Sequence, residues 1–175
     1  MELDYKSRYT KDNILAYYQS ERGEAIFMLL WGGVVSGISL WGILSLEDIF
    51  WTGMFYTVIP LSTLQFLMGV RNLIFVKKKR TKVLDKLSLS LLKAVKAEKT
   101  RVLNTQIRLR FYRLIEQILF FLGFAFTFVG GVFGLSVFLA GSGIGLMLQS
   151  AVLLIQDLFA EWRTGIYLDE LEIKE

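Results

Sequence analysis

From residue 25 to residue 76 the chain is apolar except for Glu47-Asp48 and Arg71, and from 117 to 156 it carries no charge at all. A helix crosses a hydrocarbon core with roughly 20 apolar residues, so each stretch is long enough to cross twice. The pattern predicts a first span over 25–46 and a second from Ile49 to near Val70, turning at 45–49. Two more spans are predicted within 117–156. Their connection is placed at 139–145, where Ala140-Gly141-Ser142-Gly143-Ile144-Gly145 carries glycine turn chemistry.

Between the apolar stretches the period changes. Leu84, Leu87, Leu91, Val95, Val102, Leu103 and Ile107 recur at mostly three- and four-residue steps among Lys and Arg, which predicts an amphipathic helix. No Gly or Pro interrupts 70–122, and a break near 99–104 would fold the segment into an antiparallel pair. Ahead of the first span, Thr10-Lys11-Asp12-Asn13 precedes Ile14, Leu15, Tyr17 and Tyr18, the pattern of a capped short helix lying at a membrane surface. The expected fold is an all-α integral membrane protein. Its four transmembrane helices form two parallel hairpins, with a possible tandem repeat, joined by a cytoplasmic helical stalk. The segments are an amphipathic leader (1–24), hairpins over 25–76 and 114–162, a basic helical segment (77–113) and an acidic tail (163–175).

Charge sets the expected orientation. The Lys and Arg residues crowd into 71–113, and neither predicted outer connection has one. Because basic residues near span ends stay on the cytoplasmic side, both termini and the middle segment are expected inside, with a bacterial inner membrane as the location. That topology accounts for the basic stretch without nucleic acid, and attraction to anionic headgroups adds to it. The polar, mixed-charge leader is no cleavable signal peptide, so the first span is expected to direct insertion. With 54% hydrophobic residues in 175, little chain remains for a separate soluble domain. The absence of Cys and His excludes disulfides, thiolate nucleophiles, His-based triads and the usual zinc or haem ligation. No metal or cofactor is expected, and no enzyme.

The halves resemble each other. Gly32-Gly33-Val34-Val35-Ser36-Gly37-Ile38-Ser39 returns with one deletion as Gly130-Gly131-Val132-Phe133-Gly134-Leu135-Ser136, and Leu64-Gln65 returns as Leu148-Gln149. Residues 80–87 return, with a gap, at 163–171. A duplicated hairpin would give parallel repeats about an axis along the membrane normal; shared apolar composition would also generate the first two matches.

Each span carries a stripe of small or polar residues: Gly32, Ser36 and Ser39; Ser62, Gln65, Gly69 and Asn72; Gly123, Thr127, Gly130 and Gly134; Ser142, Gly145, Gln149 and Gln156. Helices in lipid are held by close approach at small residues and by interhelical hydrogen bonds, so Gly33, Gly37, Gly130 and Gly134 are packing candidates. Ser62, Gln65, Gln149 and Gln156 either line a polar path or bond one another as glue. Arg71 and Asp157 are a candidate ion pair, or two side chains that snorkel separately. Glu47 and Asp48 would ring a pore mouth in an oligomer and are a solvated turn in a monomer. Pro60 is expected to bend or loosen the second span, and Glu116 reads as a helix-start charge. The functional expectation is a non-enzymatic homo-oligomer forming an ion-conducting or membrane-permeabilising assembly. Its cytoplasmic helices would receive a signal or protein partner, and their movement would wet Gln65 and Gln149. The alternative is a scaffold or accessory subunit of a larger membrane complex.

Overall fold

The structure is a computed structural model describing residues 2–171, with side chains described from Lys11 onward except those of Ser88 and Leu91. It is all-helical. Helix α1 (Glu2–Ser45) leads to α2 (Ile49–Leu89), α3 (Leu91–Thr127) runs on into a π-helical turn (Phe128–Val132), and α4 (Val137–Leu171) completes the fold. The α-helices are 35 to 44 residues long. At about 1.5 Å per residue each is roughly twice as long as a hydrocarbon core is thick. All four are long and apolar enough to cross a membrane.

The helix ends correct several expectations. Thr10 does not open a helix, because α1 runs from Glu2 straight through the leader into the apolar stretch. The leader is thus not a separate surface helix: Ile14, Tyr17 and Tyr18 are buried in a core built from all four helices. The break expected at 99–104 falls instead at Ser90, which is extended (φ −162°, ψ 111°). Glu116 therefore lies inside α3, not at its start. The tail continues α4 as far as Leu171, and residues 172–175 lie outside the described residues. Pro60 sits within α2 without ending it.

The largest correction concerns the turn between α3 and α4. Residues 139–145 are helical and almost wholly buried in α4, and the chain reverses at 133–136. There Gly134 supplies the left-handed backbone (φ 64°) that a side chain disfavours. The connection between α1 and α2 is placed correctly and closed by Asp48, whose carboxylate accepts from the amides of Phe50 (2.8 Å) and Trp51 (3.3 Å) as an N-cap.

Glycines set the packing. A Cβ on Gly32 would lie 2.5 Å from the Phe66 nitrogen, and one on Gly69 2.6 Å from the Leu29 nitrogen, so α1 and α2 run antiparallel with backbones nearly touching. Likewise α3 meets α4 antiparallel, a Cβ on Gly143 falling 2.4 Å from Gly123 O and one on Gly130 2.4 Å from Ala140 N. Helices α2 and α4 run side by side in the same direction: a Cβ on Gly141 would reach Phe50 O at 2.0 Å, and one on Gly145 Met54 O at 2.5 Å. The glycines read as a turn are thus the contact surface of α4. Of the four packing candidates only Gly130 packs backbone to backbone. Gly33 meets the Phe66 ring edge at 3.3 Å, Gly37 faces open space and Gly134 is in the turn. The glycine match between halves does not fall on equivalent places either: Gly130-Gly131 lie beside the 133–136 turn, whereas Gly32-Gly33 lie deep in α1 against the middle of α2.

Along the same four helices the burial pattern reverses. Between 25 and 68, and again between 117 and 156, the buried set includes Ser39, Ser62, Gln65, Ser142, Gln149, Ser150 and Gln156, while Leu44 (78% exposed), Trp41, Phe121 and Leu148 point outward. Toward the other end, Val83, Leu87, Ala94, Val95 and Val102 are buried and Lys77, Lys78, Lys82, Lys86 and Lys96 are exposed.

Substituting Gly141→Leu should force α4 off the Phe50 carbonyl, with overpacking costing about 1–3 kcal/mol or more. Gly37→Leu, placed in open space, should cost under about 0.5 kcal/mol. Thermal unfolding of the two variants in detergent compares them directly, and equal destabilisation would contradict this packing.

Candidate functional site

Three polar constellations lie along the bundle axis. In the apolar half, Gln149 Nε2 donates to Gln65 Oε1 (2.7 Å) and Gln65 Nε2 donates to Gln156 Oε1 (2.7 Å). Gln65 is 1% exposed, and both ends of its amide are satisfied across α2 and α4. An amide without a partner in hydrocarbon would be costly, so the chain of three holds the two helices in one register. Flanking bonds reinforce the α2–α4 seam. Thr57 Oγ1 donates to Ser142 O (3.0 Å), and Ser142 Oγ donates to Gly53 O (3.1 Å). On the other side of α2, Ser62 is 2.8 Å from Ser36 Oγ on α1 and also donates to Val58 O (2.9 Å).

At the level where the burial pattern reverses, all four helices line a cavity of about 280 Å3. Asp157, Glu21, Glu24 and Arg163 lie on its α1–α4 side, and Arg71, Lys79 and Arg108 on its α2–α3 side. Lys79 pairs with Glu21 (2.8 Å), and Arg163 pairs with Glu24. Arg71 and Asp157 share this cavity without forming an ion pair: the Arg71 side chain is exposed, and Asp157 keeps one carboxylate oxygen buried and unbonded. Nearby, Glu161 of α4 accepts from Arg113 and from Arg110 (3.3 Å), which ties α3 to α4.

Deeper in the charged half is a residue not singled out from the pattern. Glu98 is 2% exposed and accepts four hydrogen bonds: from Tyr18 (3.1 Å), Tyr167 (3.3 Å), Arg101 Nε (2.9 Å) and Arg101 Nη2 (2.7 Å). Three helices converge on one carboxylate. The Tyr17 ring stacks on Tyr167 at 4.1 Å, and the Arg101 guanidinium lies over Tyr17 (5.9 Å) and Tyr18 (5.3 Å). A buried charge is tolerated where it is paired and hydrogen-bonded, as Glu98 is. Burial first, and then the Glu98 carboxylate, pushes the Tyr18 and Tyr167 phenols above their ordinary value of 10.0. They therefore remain protonated donors. The signal for Glu98 was present in the spacing, because Leu91, Val95, Glu98 and Val102 fall on one helical face.

The remaining candidates separate. Glu47 is exposed and Asp48 caps α2. Among the described residues no group of three or more Asp or Glu side chains is placed to hold a metal ion. Comparison of the chain with protein-family models, curated proteins and solved structures finds no match.

Gln65→Leu should strand an amide on Gln149 and another on Gln156, destabilising the bundle by about 1–2 kcal/mol. Replacing all three glutamines by leucine should recover part of that loss, since no polar group is left unpaired. Unfolding midpoints in detergent test the order, and a triple variant less stable than the single would contradict it. The clasp at Glu98 has a pH signature as well. Phenols raised above their unfolded value stabilise fully below pH 10, and that contribution is lost as pH climbs through the raised values. Alkaline unfolding followed by circular dichroism should begin above pH 10 and shift when Tyr18 and Tyr167 are both replaced by Phe; an unchanged midpoint would contradict the role assigned to the phenols.

Proposed function

We propose that this protein is a non-enzymatic, four-span integral membrane protein that serves as a scaffold or accessory subunit, presenting a rigid four-helix platform at the cytoplasmic face. The reversal of burial along continuous helices carries the reading. An interior of glycine, serine and glutamine with only a few large apolar side chains such as Phe55 and Val58, under an apolar exterior, suits lipid, where tails are as apolar as Leu and packing relies on small residues and hydrogen bonds. An apolar interior under a Lys-rich exterior suits water. One bundle is therefore matched to two solvents, and the change lies near Arg71, Asp157 and Trp162. Two hairpins, α1–α2 and α3–α4, cross the membrane in parallel. The residues 46–48 and 133–136, which lack Lys and Arg, face outward, and both termini lie inside with the basic residues of 77–113. The charged half is the stalk, and its exposed lysines offer the surface for a protein partner.

A conducting homo-oligomer is the second reading, favoured by Gly37 of α1, which faces open space and leaves a small residue free to meet a second copy. In that assembly the path would run between protomers. Wetting Gln65 within one protomer would require breaking two 2.7 Å bonds.

The cysteine-free chain allows single-cysteine mapping without background. Cysteines at Glu47 and Leu135 should react with an impermeant maleimide only from outside, and those at Lys82 and Lys96 only from inside. Labelling of all four from one side would reject the topology. Liposomes holding the purified protein should stay tight to ions and small dyes. Flux abolished by Gly37→Leu would replace the scaffold reading with the conducting one.

A further inference from the structure

The cavity at the junction of the two halves is lined by more charge than its own pairs neutralise. Lys79 is matched by Glu21 and Arg163 by Glu24. Arg71 and Arg108 meet no carboxylate among the described residues; Arg108 makes only 3.4 Å bonds to Asn104 O and Thr105 Oγ1. Two guanidiniums are thus left for an anion. Asp157 also lines the cavity, and no cation among the described residues forms an ion pair with it. An occupant that satisfied this wall would need anionic oxygens for the guanidiniums and an N–H donor for the Asp157 carboxylate. A phosphate ester carrying a primary ammonium has both. Phosphate oxygens suit paired guanidiniums, and an ammonium brings three donors.

Position selects the source. The Arg71, Phe75, Arg108 and Tyr112 side chains are exposed on α2 and α3, whereas Tyr17, Met28, Ala160 and Thr164 are buried on α1 and α4, so the cavity opens between α2 and α3. The opening lies where apolar surface gives way to charge, the depth of a lipid headgroup. At about 280 Å3 the space falls just under the range of drug-sized sites.

We propose that this cavity binds the headgroup of an inner-leaflet phospholipid bearing both a phosphate and a primary amine, with the phosphate on Arg71 and Arg108 and the ammonium facing Asp157. The proposal rests on the membrane placement above, which the cysteine mapping tests separately. Trimethylated headgroups carry the same charge but no N–H, and the site should reject them.

Native mass spectrometry of the full chain, released from nanodiscs of equimolar phosphatidylethanolamine and phosphatidylcholine, reads this directly. Retained phosphatidylethanolamine should exceed phosphatidylcholine about tenfold, as expected for losing charge-assisted hydrogen bonds. Mono- and dimethylated headgroups should fall between, a series that needs no variant of the protein. Asp157→Asn should flatten the series, and Arg71→Gln with Arg108→Gln should lower retention of every headgroup. Equal retention across the series by the unaltered protein would overturn the site, whatever the cysteine map shows. Displacement of the lipid by millimolar glycerophosphoethanolamine would assign the cavity to a soluble ester and overturn the lipid assignment.

Discussion

The seam between α2 and α4 is the constraint on which the rest of the bundle depends. Helix α1 is held mainly by α2 and α3 mainly by α4, so without that seam the apolar half separates into two pairs. A hydrophobic driving force is weak between helices whose alternative neighbours are lipid tails. Two features replace it. Gly53, Gly141 and Gly145 let the backbones approach until no Cβ would fit, and the amide chain from Gln149 through Gln65 to Gln156 fixes which residues face each other. Close approach without the amides would leave the register loose; amides without glycines could not reach.

The charged half is organised differently, in the way the proposed aqueous setting would demand. Here Ile14, Val76, Val83, Leu87, Ala94, Val95, Val102 and Leu171 bury apolar surface from all four helices in one core, and burial itself is favourable. One carboxylate is admitted to that core among the described residues, that of Glu98, and each of its oxygens is bonded. An apolar core tolerates sliding, whereas a carboxylate gripped by Tyr18, Tyr167 and Arg101 fixes α1, α3 and α4 at one height. The two halves thus share a design principle with opposite backgrounds: bulk packing follows the solvent, and a few buried polar groups set the register.

Much of this was legible in the chain, and the failures share a cause. The charge-free runs disclosed four membrane-length helices, and Gln65 and Gln149 stood out because amides in apolar runs need partners. Residues 139–145 were misread as a turn because glycine in water-soluble proteins marks turns; in a bundle governed by backbone approach it marks contact. Gly37, read as a packing glycine, meets no other helix of this chain. The break at Ser90 carries neither Gly nor Pro, and its extended backbone depends on how α2 and α3 pack. Arg71 and Asp157 line one cavity without an ion pair, because sequence gives no azimuth around a helix. Glu98 was overlooked among exposed charges, although its face was readable.

The central claim is that one continuous bundle is matched to lipid over part of its length and to water over the rest. Nitroxide scanning along the outward face of α4 in liposomes tests it most directly, through Leu148, Ile155, Phe159, Trp162, Ile166 and Glu170. Collision with dissolved oxygen should dominate at Leu148 and Ile155, and collision with a water-soluble nickel chelate should take over by Ile166 and Glu170, the crossover falling near Trp162. Nickel access at Leu148 and Ile155 equal to that at Glu170 would contradict the account.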